Sequence, residues 1–567
     1  MDPARDPPPD RGVCLNMLPP PRPRLPFSPR ATRRTAFKLG LIGLAGAGAR
    51  LSAADGGGGF THGVASGEPG PRQVLLWTRY AAAGESTLTW ELSEDLGFVR
   101  IAASGQALAS PDHDGCAKAW ARGLTPGRWY YYRFIAPSGE VSLTGRTRTL
   151  PEGKVAGFRI ALFSCANYGF GWFNAYAHAA EAGDFDLAVH VGDYVYEYQR
   201  GEYPGAREQA PARAVLPVGE TVALADYRAR YAQYRADPDL QRLHQIAPMV
   251  AMWDDHETAN DTWQDGAENH QPDKEGDWQL RKAASERAWR EWMPVSDEYW
   301  ASYEIGDLAT LLRLESRHVA RTRPLDFRTA FAAAAPGAGA AALAEFRDGT
   351  WRDPAHTLLG AAQEAWLAAV LKRSVKARKP WQVIAQQVVM GSLALPDEVL
   401  EGLPAKAPEW LRQRLDAAIA AAHAGIPFNM DAWDGYPAAR DRLTQAALNA
   451  GADLVVLSGD SHNAWACNLD HAGHRVGTEI ASHSVTSPGA EGTLPWLKPD
   501  ALARAMAARN PQLAWCDTAQ RGYVAIELTA RAVTSEWRFL AGVRERGTAL
   551  AGVKRMTVLA GQRRYSA

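Results

Sequence analysis

The chain has 567 residues, 46% of them apolar, with 62 Lys and Arg side chains against 63 Asp and Glu. This length exceeds the usual domain of roughly 100 to 200 residues, so at least two domains with ample hydrophobic cores are predicted. The five cysteines form no CxxC pair, which argues against a cysteine-cluster zinc site and against a fold stapled by disulfides.

Residues 1–54 have the features of an export signal. The pair Arg33 and Arg34 precedes a Gly/Ala-rich apolar run over 39–49, and small residues at 52–54 offer a cleavage site. The apolar run is much shorter than the roughly 20 residues that span a bilayer. This order of features resembles a twin-arginine signal and predicts export by the twin-arginine machinery to the periplasm or the medium, with removal of the signal. Met17 is an alternative start of translation.

The charge of the remaining chain limits its partners. Without residues 1–54, the chain carries 53 basic and 60 acidic side chains, a net charge of −7. An acidic surface disfavours the counterion-driven binding of long nucleic acid, so no stable nucleic-acid complex is expected. No later segment is apolar over a bilayer's length, so no transmembrane span is expected in the mature chain.

The segment 55–151 predicts a small all-β sandwich domain. Short alternating strands are indicated over 74–78, 87–92 and 129–134, with Gly and Pro clusters between them, and a last strand within 145–151 leads to the boundary. No acid, base or ligand cluster occurs in this segment. A role in packing or in shaping the substrate cleft is therefore expected.

The segment 152–567 predicts a second domain in which apolar strands alternate with helices. Four predicted strands are each followed by side chains that can bind metals: 159–163 by Cys165, 187–191 by Asp193, 248–253 by Asp255 and His256, and 454–458 by Asp460 and His462. At any one of these places a turn residue or helix cap is an equally good explanation. Ligands bind beyond the carboxyl ends of strands in α/β sheets, so the recurrence predicts one shared site.

Helices support these strands. Helical patterns cover 172–182, 359–379 and 409–423, and the Ala/Gly-rich stretch 327–346 predicts two small-residue helices or a surface insertion. The end of the chain, from about residue 530, is expected to form closing strands or a helix over the cleft. The sequence contains no GxxxxGK[ST], HExxH or GxSxG motif, which disfavours a nucleotide-dependent motor and a serine hydrolase.

The candidate ligands combine several chemistries. Most are oxygen donors, joined by one thiol, one phenol and one imidazole: Cys165, Asp193, Tyr196, Asp255, Asn260, Asp460 and His462. Structural zinc sites prefer Cys and His, whereas calcium and magnesium prefer oxygen, so the mixture indicates more than one metal. A phenol and a thiol lose their protons beside a strong Lewis acid, which favours trivalent iron near Tyr196 and Cys165, with a hard divalent ion beside it.

Long motifs give the chain a family resemblance. The stretches 163–168, 190–198, 253–257 with Asn260, and 458–462 closely resemble the PhoD-like alkaline phosphatases, and the likeness extends to 60–67, 431–437 and 484–489. That family is similar to the purple acid phosphatases and to the wider metallophosphoesterase group. The resemblance implies an α+β fold, with a core of two β-sheets flanked by helices after the small all-β sandwich.

The resemblance also implies a metal centre and an activity. It implies Fe³⁺ held by Cys165, Asp193, Tyr196 and His462, and one or two Ca²⁺ held by Asp193, Asp255, Asn260 and Asp460. It suggests His256 as the phosphate contact or general acid of an exported alkaline phosphatase that hydrolyses phosphate monoesters and diesters with metal-activated water. Asp255 replaces an amide of the wider group and Asp460 stands where a histidine is common, and both changes favour a harder cation.

Alternatives remain open at this stage. A phosphodiesterase or phospholipase-type enzyme would use the same centre, and a non-catalytic exported metal-binding module would need no general acid. Cys165 as an inert thiol, Tyr196 as a core aromatic and His256 as a helix cap are the ordinary explanations of single residues. A solvated surface role is favoured for Arg321, Arg323 and Arg440, and a turn for Asp431 and Asp434.

Overall fold

The computed structural model describes residues 59–334 and 338–566, and the predicted export signal at 1–54 lies outside them. In the described residues the strands β1 to β20 are Gly59–Gly67, Gln73–Ala81, Ser86–Ser93, Ile101–Ala109, Cys116–Arg122, Trp129–Ile135, Gly145–Arg148, Phe158–Phe163, Leu187–His190, Met249–Ala251, Ala301–Ile305, Ala309–Arg313, Trp381–Ala385, Leu454–Ser458, Ala464–His471, His474–Ala481, Leu513–Asp517, Gly522–Leu528, Ala532–Leu540 and Leu550–Leu559. The helices α1 to α13 are Asn174–Ala182, Leu224–Arg235, Pro238–Ile246, Pro272–Glu275, Trp278–Trp292, Phe327–Ala332, Gly339–Asp348, Gly360–Lys376, Glu398–Glu401, Glu409–His423, Pro437–Ala450, Ala490–Thr493 and Pro499–Arg509.

The strands form three sheets. A nine-stranded sheet has the order β20-β19-β18-β8-β9-β10-β1-β2-β5, a seven-stranded sheet has the order β11-β12-β13-β14-β16-β15-β17, and a four-stranded sheet has the order β4-β3-β6-β7. Strands β8, β9 and β10 are parallel neighbours, and so are β12, β13 and β14. The loops that follow these strands therefore leave each sheet at one edge.

The two large sheets pack face to face over a shared apolar core. Strands β9 and β14 are buried at every position, as is typical of strands covered on both faces. Their inward side chains meet in one cluster, which includes Leu162, Val189, Val383, Val455 and Trp537. Helices α1, α2, α3 and α5 cover the outer face of the nine-stranded sheet, while α8 and α11 cover that of the seven-stranded sheet.

The N-terminal all-β region shares a layer with the nine-stranded sheet. Strand β1 pairs in parallel with β10 through Gly67 and Met249, so β1, β2 and β5 extend the large sheet. These strands pack against the four-stranded sheet through a separate core that includes Val74, Leu88 and Phe134. The predicted α+β class, with an N-terminal all-β region before a two-sheet core, is confirmed, and the domain boundary at residue 151 stays a prediction.

Most of the predicted supporting elements are present. The pattern over 409–423 is helix α10, that over 359–379 is α8, and the small-residue stretch 327–346 contains α6 and α7. Of the two alternatives for the chain end, closing strands are correct, since β19 and β20 form the edge of the nine-stranded sheet. No described helix is both long and apolar enough to cross a membrane.

Candidate metal centre

The candidate ligands lie where parallel strands of both large sheets end. Cys165 follows β8 and Asp193 follows β9, while Asp255 follows β10 and both Asp460 and His462 follow β14. Two sheets packed face to face bring their carboxyl ends to one crevice, where short loops hold side chains on rigid strands. The structure thus brings together ligands separated by almost three hundred residues in sequence.

Four of these ligands have left-handed backbone conformations. The φ angles are 58° at Cys165, 55° at Asp193, 63° at Asp460 and 61° at His462. Residues other than glycine rarely adopt this region, and such conformations cluster at functional sites where the surrounding structure fixes them. Here the Cys165 N–H donates to the carbonyl oxygen of Gly192 at 3.2 Å, so one ligand loop holds the next.

Two glycines allow the ligand loops to approach closely. A Cβ on Gly192, whose φ is +107°, would lie 2.3 Å from the Cβ of Asp254. A Cβ on Gly459 would lie 2.5 Å from the Cβ of Ser164. The crevice therefore requires glycine after β9 and after β14, because any larger residue would separate the loops.

One group of ligands, the thiol–phenol cluster, consists of Cys165, Asp193, Tyr196 and His462. Ligand atoms of Cys165, Asp193 and His462 lie within 4.8 Å of one another. The Tyr196 hydroxyl donates to Oδ2 of Asp193 at 2.8 Å and lies 3.2 Å from Nε2 of His462. Asp193 and Tyr196, three residues apart in the sequence, therefore bring their side chains to one point. The Ser487 hydroxyl donates to the Tyr196 oxygen at 2.8 Å and fixes the phenol.

The ring of His462 is oriented for metal binding. Its Nδ1 lies 2.8 Å from the carbonyl oxygen of Pro488, which can only accept, so Nδ1 carries the hydrogen in the neutral ring. Nε2 then has a free lone pair directed towards the cluster, which is the usual arrangement of a metal-ligating histidine. Burial lowers the pKa of His462 to about 4, which keeps the ring neutral.

The second group, the carboxylate cluster, consists of Asp254, Asp255 and Asp460, whose oxygens also lie within 4.8 Å of one another. Asp255 joins it to the first group, since Asp193, Asp255 and His256 form a further set within that distance. Oδ1 of Asp193, Oδ2 of Asp254 and Oδ1 of Asp255 are buried and accept no hydrogen bond from the described residues. Buried carboxylate oxygens without donors are costly unless a cation neutralises them, so the donor set fits metal ions.

Electrostatics support the same conclusion. Burial, with the nearby Asp193 carboxylate second, raises the pKa values of both the Cys165 thiol and the Tyr196 phenol well above their ordinary range. Burial likewise raises the pKa of Asp193 and, together with Asp254, that of Asp460. These groups become anionic ligands only beside strong positive charge, which a metal ion supplies.

His256 lies between the cluster and a buried acid. Its Nδ1 is 2.8 Å from Oε2 of Glu197, and its ring stacks on Tyr196 with centroids 4.3 Å apart. Burial opposes protonation, but Asp255, Glu197 and Asp193 together raise the pKa of His256 well above its ordinary range. The structure therefore places an imidazole whose surroundings favour its protonated form, 7% exposed, at the edge of the ligand cluster.

Glu257 is a positioning residue that sequence analysis did not select. Its carboxylate accepts the N–H groups of Asp193 at 3.1 Å, Tyr194 at 2.5 Å and Asp254 at 2.6 Å. One buried side chain thus holds the loops after β9 and β10 in register. Its place directly after His256 was the available indication, but an acid beside a histidine does not reveal which backbone groups it will bind.

Arg317 is the second residue that sequence analysis missed. It is fully buried after β12, and its guanidinium donates to the carboxylates of Asp254 and Asp431 and also contacts that of Asp460. Arg321 is fully buried too and donates to Asp431. The surface interpretation of Arg321 is therefore wrong, because ion pairing allows its charge to be buried. Asp431 lies in a bend, as its turn interpretation predicted, and its carboxylate is buried against both arginines.

The remaining candidates have other hydrogen-bond and ion-pair partners. The Asn260 N–H donates to Glu197 at 2.8 Å, and its side-chain amide donates to Glu268 at 3.2 Å, so its predicted calcium role stays a prediction. Arg323 is exposed, as expected. Arg440 is largely buried and pairs with Asp434 at 2.7 Å, which corrects the surface interpretation of Arg440, whereas Asp434 lies in the short 3-10 turn Trp433–Gly435, as its turn interpretation predicted. Cysteines 116, 165, 467 and 516 are free thiols.

The fold and the site together define a protein with a buried cluster of potential metal ligands between two sheets. Residues 160–537 match the family model for PhoD-like phosphatase, and residues 45–151 match the model for its N-terminal domain. The chain belongs to the PhoD-like phosphatase family, as its motifs predicted, and is a phosphatase similar to alkaline phosphatase D.

Two relatives give the extent of this similarity. Alkaline phosphatase D of Bacillus subtilis (strain 168) is 30% identical over 520 residues, which cover 87% of this chain and 79% of the relative. A solved structure described as "Structure of PhoD" is 28% identical with a TM-score of 0.71, and the match covers 89% of this chain and 91% of that chain. The similarity therefore includes both the all-β region and the two-sheet core.

Proposed function

We propose that this protein is an exported alkaline phosphatase that hydrolyses phosphate monoesters and diesters by a metal-dependent mechanism. The observation that carries the proposal is the set of three buried carboxylate oxygens, on Asp193, Asp254 and Asp255, that have no hydrogen-bond donor among the described residues. These oxygens lie in one crevice with a thiol, a phenol and an imidazole. Such a set has no use in an apolar core but suits two kinds of cation.

The residues divide between two cations by their chemistry. The thiol–phenol cluster suits Fe³⁺, because a trivalent ion can displace the protons of Cys165 and Tyr196. The oxygen donors of Asp193, Asp255 and Asp460, with Asn260 beside them, suit one or two Ca²⁺ ions. When bound, the metals supply a Lewis acid for the phosphate oxygens and lower the pKa of water for in-line attack on phosphorus.

His256 is the proposed general acid. Its imidazole is held by Glu197 and stacked on Tyr196, so it is fixed in orientation at the edge of the ligand cluster. When cations neutralise Asp193 and Asp255, the Glu197 carboxylate still favours the protonated ring. His256 can then stabilise the negative phosphate oxygens or donate its proton to the leaving alkoxide of either a monoester or a diester.

Export is the second part of the proposal. The order of Arg33, Arg34, the apolar run and the small residues at 52–54 supports delivery by the twin-arginine machinery to the periplasm or the medium. Replacement of both arginines by lysine should leave the protein, with its signal uncleaved, in the cytoplasm. Cell fractionation of this variant against the unchanged chain measures the effect, and equal export of the two would contradict the twin-arginine route.

The activity is tested with a chromogenic phosphomonoester and a chromogenic phosphodiester from neutral to alkaline pH. We expect the purified protein to hydrolyse both, to lose activity on chelation and to recover it with Ca²⁺. Asp193→Ala, purified in the same way, controls for contaminating phosphatases. Failure of metal-loaded protein to hydrolyse either ester would refute the proposal, and the ratio of the two rates defines the preferred substrate.

A further inference from the structure

The carboxylate cluster already contains a fixed positive charge. The guanidinium of Arg317 donates from Nε to Oδ1 of Asp254, and its Nη2 lies 3.4 Å from Oδ1 of Asp460 and 3.7 Å from Oδ1 of Asp255. Each of the three carboxylates of the cluster therefore faces the same buried cation. The Arg317 side chain is fully buried, so no substrate can reach it.

A fourth carboxylate anchors this guanidinium. Nη1 of Arg317 lies 3.0 Å from Oδ1 and 2.7 Å from Oδ2 of Asp431. Asp431 also accepts from Nη2 of Arg321, which is fully buried. The planar fork of arginine suits such simultaneous contacts, and its charge cannot be lost by deprotonation.

The contacts of Arg317 leave other carboxylate oxygens available to an ion. Asp254 uses Oδ1 for Arg317, and its Oδ2 is buried without a donor. Oδ2 of Asp255 accepts the Asp261 N–H at 2.7 Å, while its Oδ1 accepts no hydrogen bond and remains at ion-pair distance from Arg317. Two guanidinium groups against four carboxylates still leave excess negative charge for a divalent cation.

We propose that Arg317 is a positioning residue that holds Asp254, Asp255 and Asp460 together before calcium binds. Without it, three buried carboxylates would repel one another and separate, and calcium would have to assemble its own ligands. Arg317 also joins loops from both large sheets, since Asp254 and Asp255 follow β10 whereas Arg317 and Asp460 follow β12 and β14. This inference rests on the calcium site of the proposed function.

The test is the affinity for Ca²⁺ alone, measured by calorimetric titration of iron-loaded protein from which calcium has been stripped. We expect Arg317→Gln to raise the dissociation constant about 10-fold or more, as is usual when a residue that orients metal ligands is lost. Arg317→Lys keeps the charge but cannot contact four carboxylates, so an intermediate value is expected. If the glutamine variant fails to fold, the lysine variant decides the test.

Arg313→Gln is the matched control. Arg313 ends the same strand, is buried and pairs with Glu68, but none of its described contacts is with the carboxylate cluster. Its loss should lower the unfolding temperature while calcium affinity stays within about twofold of the unchanged protein. Unchanged or tighter calcium binding in both Arg317 variants would overturn this inference alone. Absence of calcium binding in the unchanged protein would overturn both it and the calcium site.

Discussion

The two ligand clusters lie at the same edge of the sheets but differ in how the protein compensates the charge of their ligands. In the thiol–phenol cluster, burial raises the pKa values of Cys165 and Tyr196, so these groups stay neutral until a strong cation arrives. In the carboxylate cluster, burial and Asp254 raise the pKa of Asp460 as well, but at Asp255 His256 and Arg317 outweigh burial and hold the pKa below the usual range. The first cluster depends on its metal for charge, whereas the second carries part of the counter-charge in the protein.

The two clusters also differ in whether the side chains and backbone groups around them are neutral or charged. Neutral groups orient the thiol–phenol ligands, namely the Ser487 hydroxyl and the Pro488 carbonyl. Charged groups neighbour the carboxylates, because Arg317 contacts all three of them, His256 lies beside Asp255, and Arg321 shares the partner Asp431 with Arg317. A site for a trivalent ion gains from dense anionic ligands, whereas a divalent ion binds reversibly where some of that charge is already compensated.

The largest expected effect comes from Asp193. Its carboxylate belongs to two groups of closely spaced potential ligands, one with Cys165 and His462 and one with Asp255 and His256. Asp193→Ala should abolish measurable hydrolysis and lower the content of both iron and calcium, because each cation loses a ligand. Elemental analysis beside the ester assay measures both. If the variant retained both metals at full occupancy, the two clusters would not share this residue in the way proposed.

A smaller effect is expected at His256. His256→Ala should reduce turnover about 10²- to 10⁴-fold, the usual contribution of a general acid, while metal content stays near normal. Glu197→Gln keeps a hydrogen-bond acceptor for Nδ1 but removes the charge, so a weaker loss is expected, with the pH limit of activity on the alkaline side moved to lower pH. Loss of both metals in His256→Ala would instead make this histidine a structural part of the clusters.

A substitution at Ser487 is expected to affect the thiol–phenol cluster alone. Ser487→Ala removes the hydroxyl that donates to the Tyr196 oxygen at 2.8 Å. Iron affinity should fall about 10- to 100-fold, as for other residues that orient metal ligands, while calcium affinity stays unchanged. Competition with an iron chelator and calorimetry with Ca²⁺ measure the two affinities. An equal loss of both would show that the clusters behave as one unit.

Local sequence predicted the strands and the ligands better than their surroundings. Apolar runs that end in Gly-Asp indicate both a buried strand and a ligand loop, because these features depend on adjacent residues. Arg317 and Asp431 could not be identified in this way. They are separated by more than a hundred residues, and a single charged residue in a sequence is ordinarily assigned to the solvated surface. The pairing of β1 with β10 escaped prediction for the same reason, since sheet neighbours are set by long-range contacts.

The smallest expected effect is on the free energy of unfolding and comes from a histidine outside the ligand clusters. It distinguishes acid unfolding from protonation of the ligands. His62 lies in the N-terminal β region, where burial and the nearby Arg79 and Arg235 lower its pKa from 6.5 to about 3. Between these two pH values the unfolded chain binds a proton that the folded chain does not, so the free energy of unfolding falls as the pH falls. In His62→Gln this contribution is absent, and an amide nitrogen can still donate to the Ala232 carbonyl, which lies 3.1 Å from the histidine ring.

Denaturant titrations of the chelated protein at pH 7 and pH 4.5 measure this contribution. The decrease in unfolding free energy between the two should be smaller in His62→Gln than in the unchanged chain. An equal decrease would mean that acid acts through groups other than His62, and the ligand carboxyls with raised pKa values are not among them. Those carboxyls have the opposite dependence, because a raised carboxyl pKa makes the chelated protein more stable as the pH falls towards the ordinary value. The slope of stability with pH therefore distinguishes the buried histidine from the clusters.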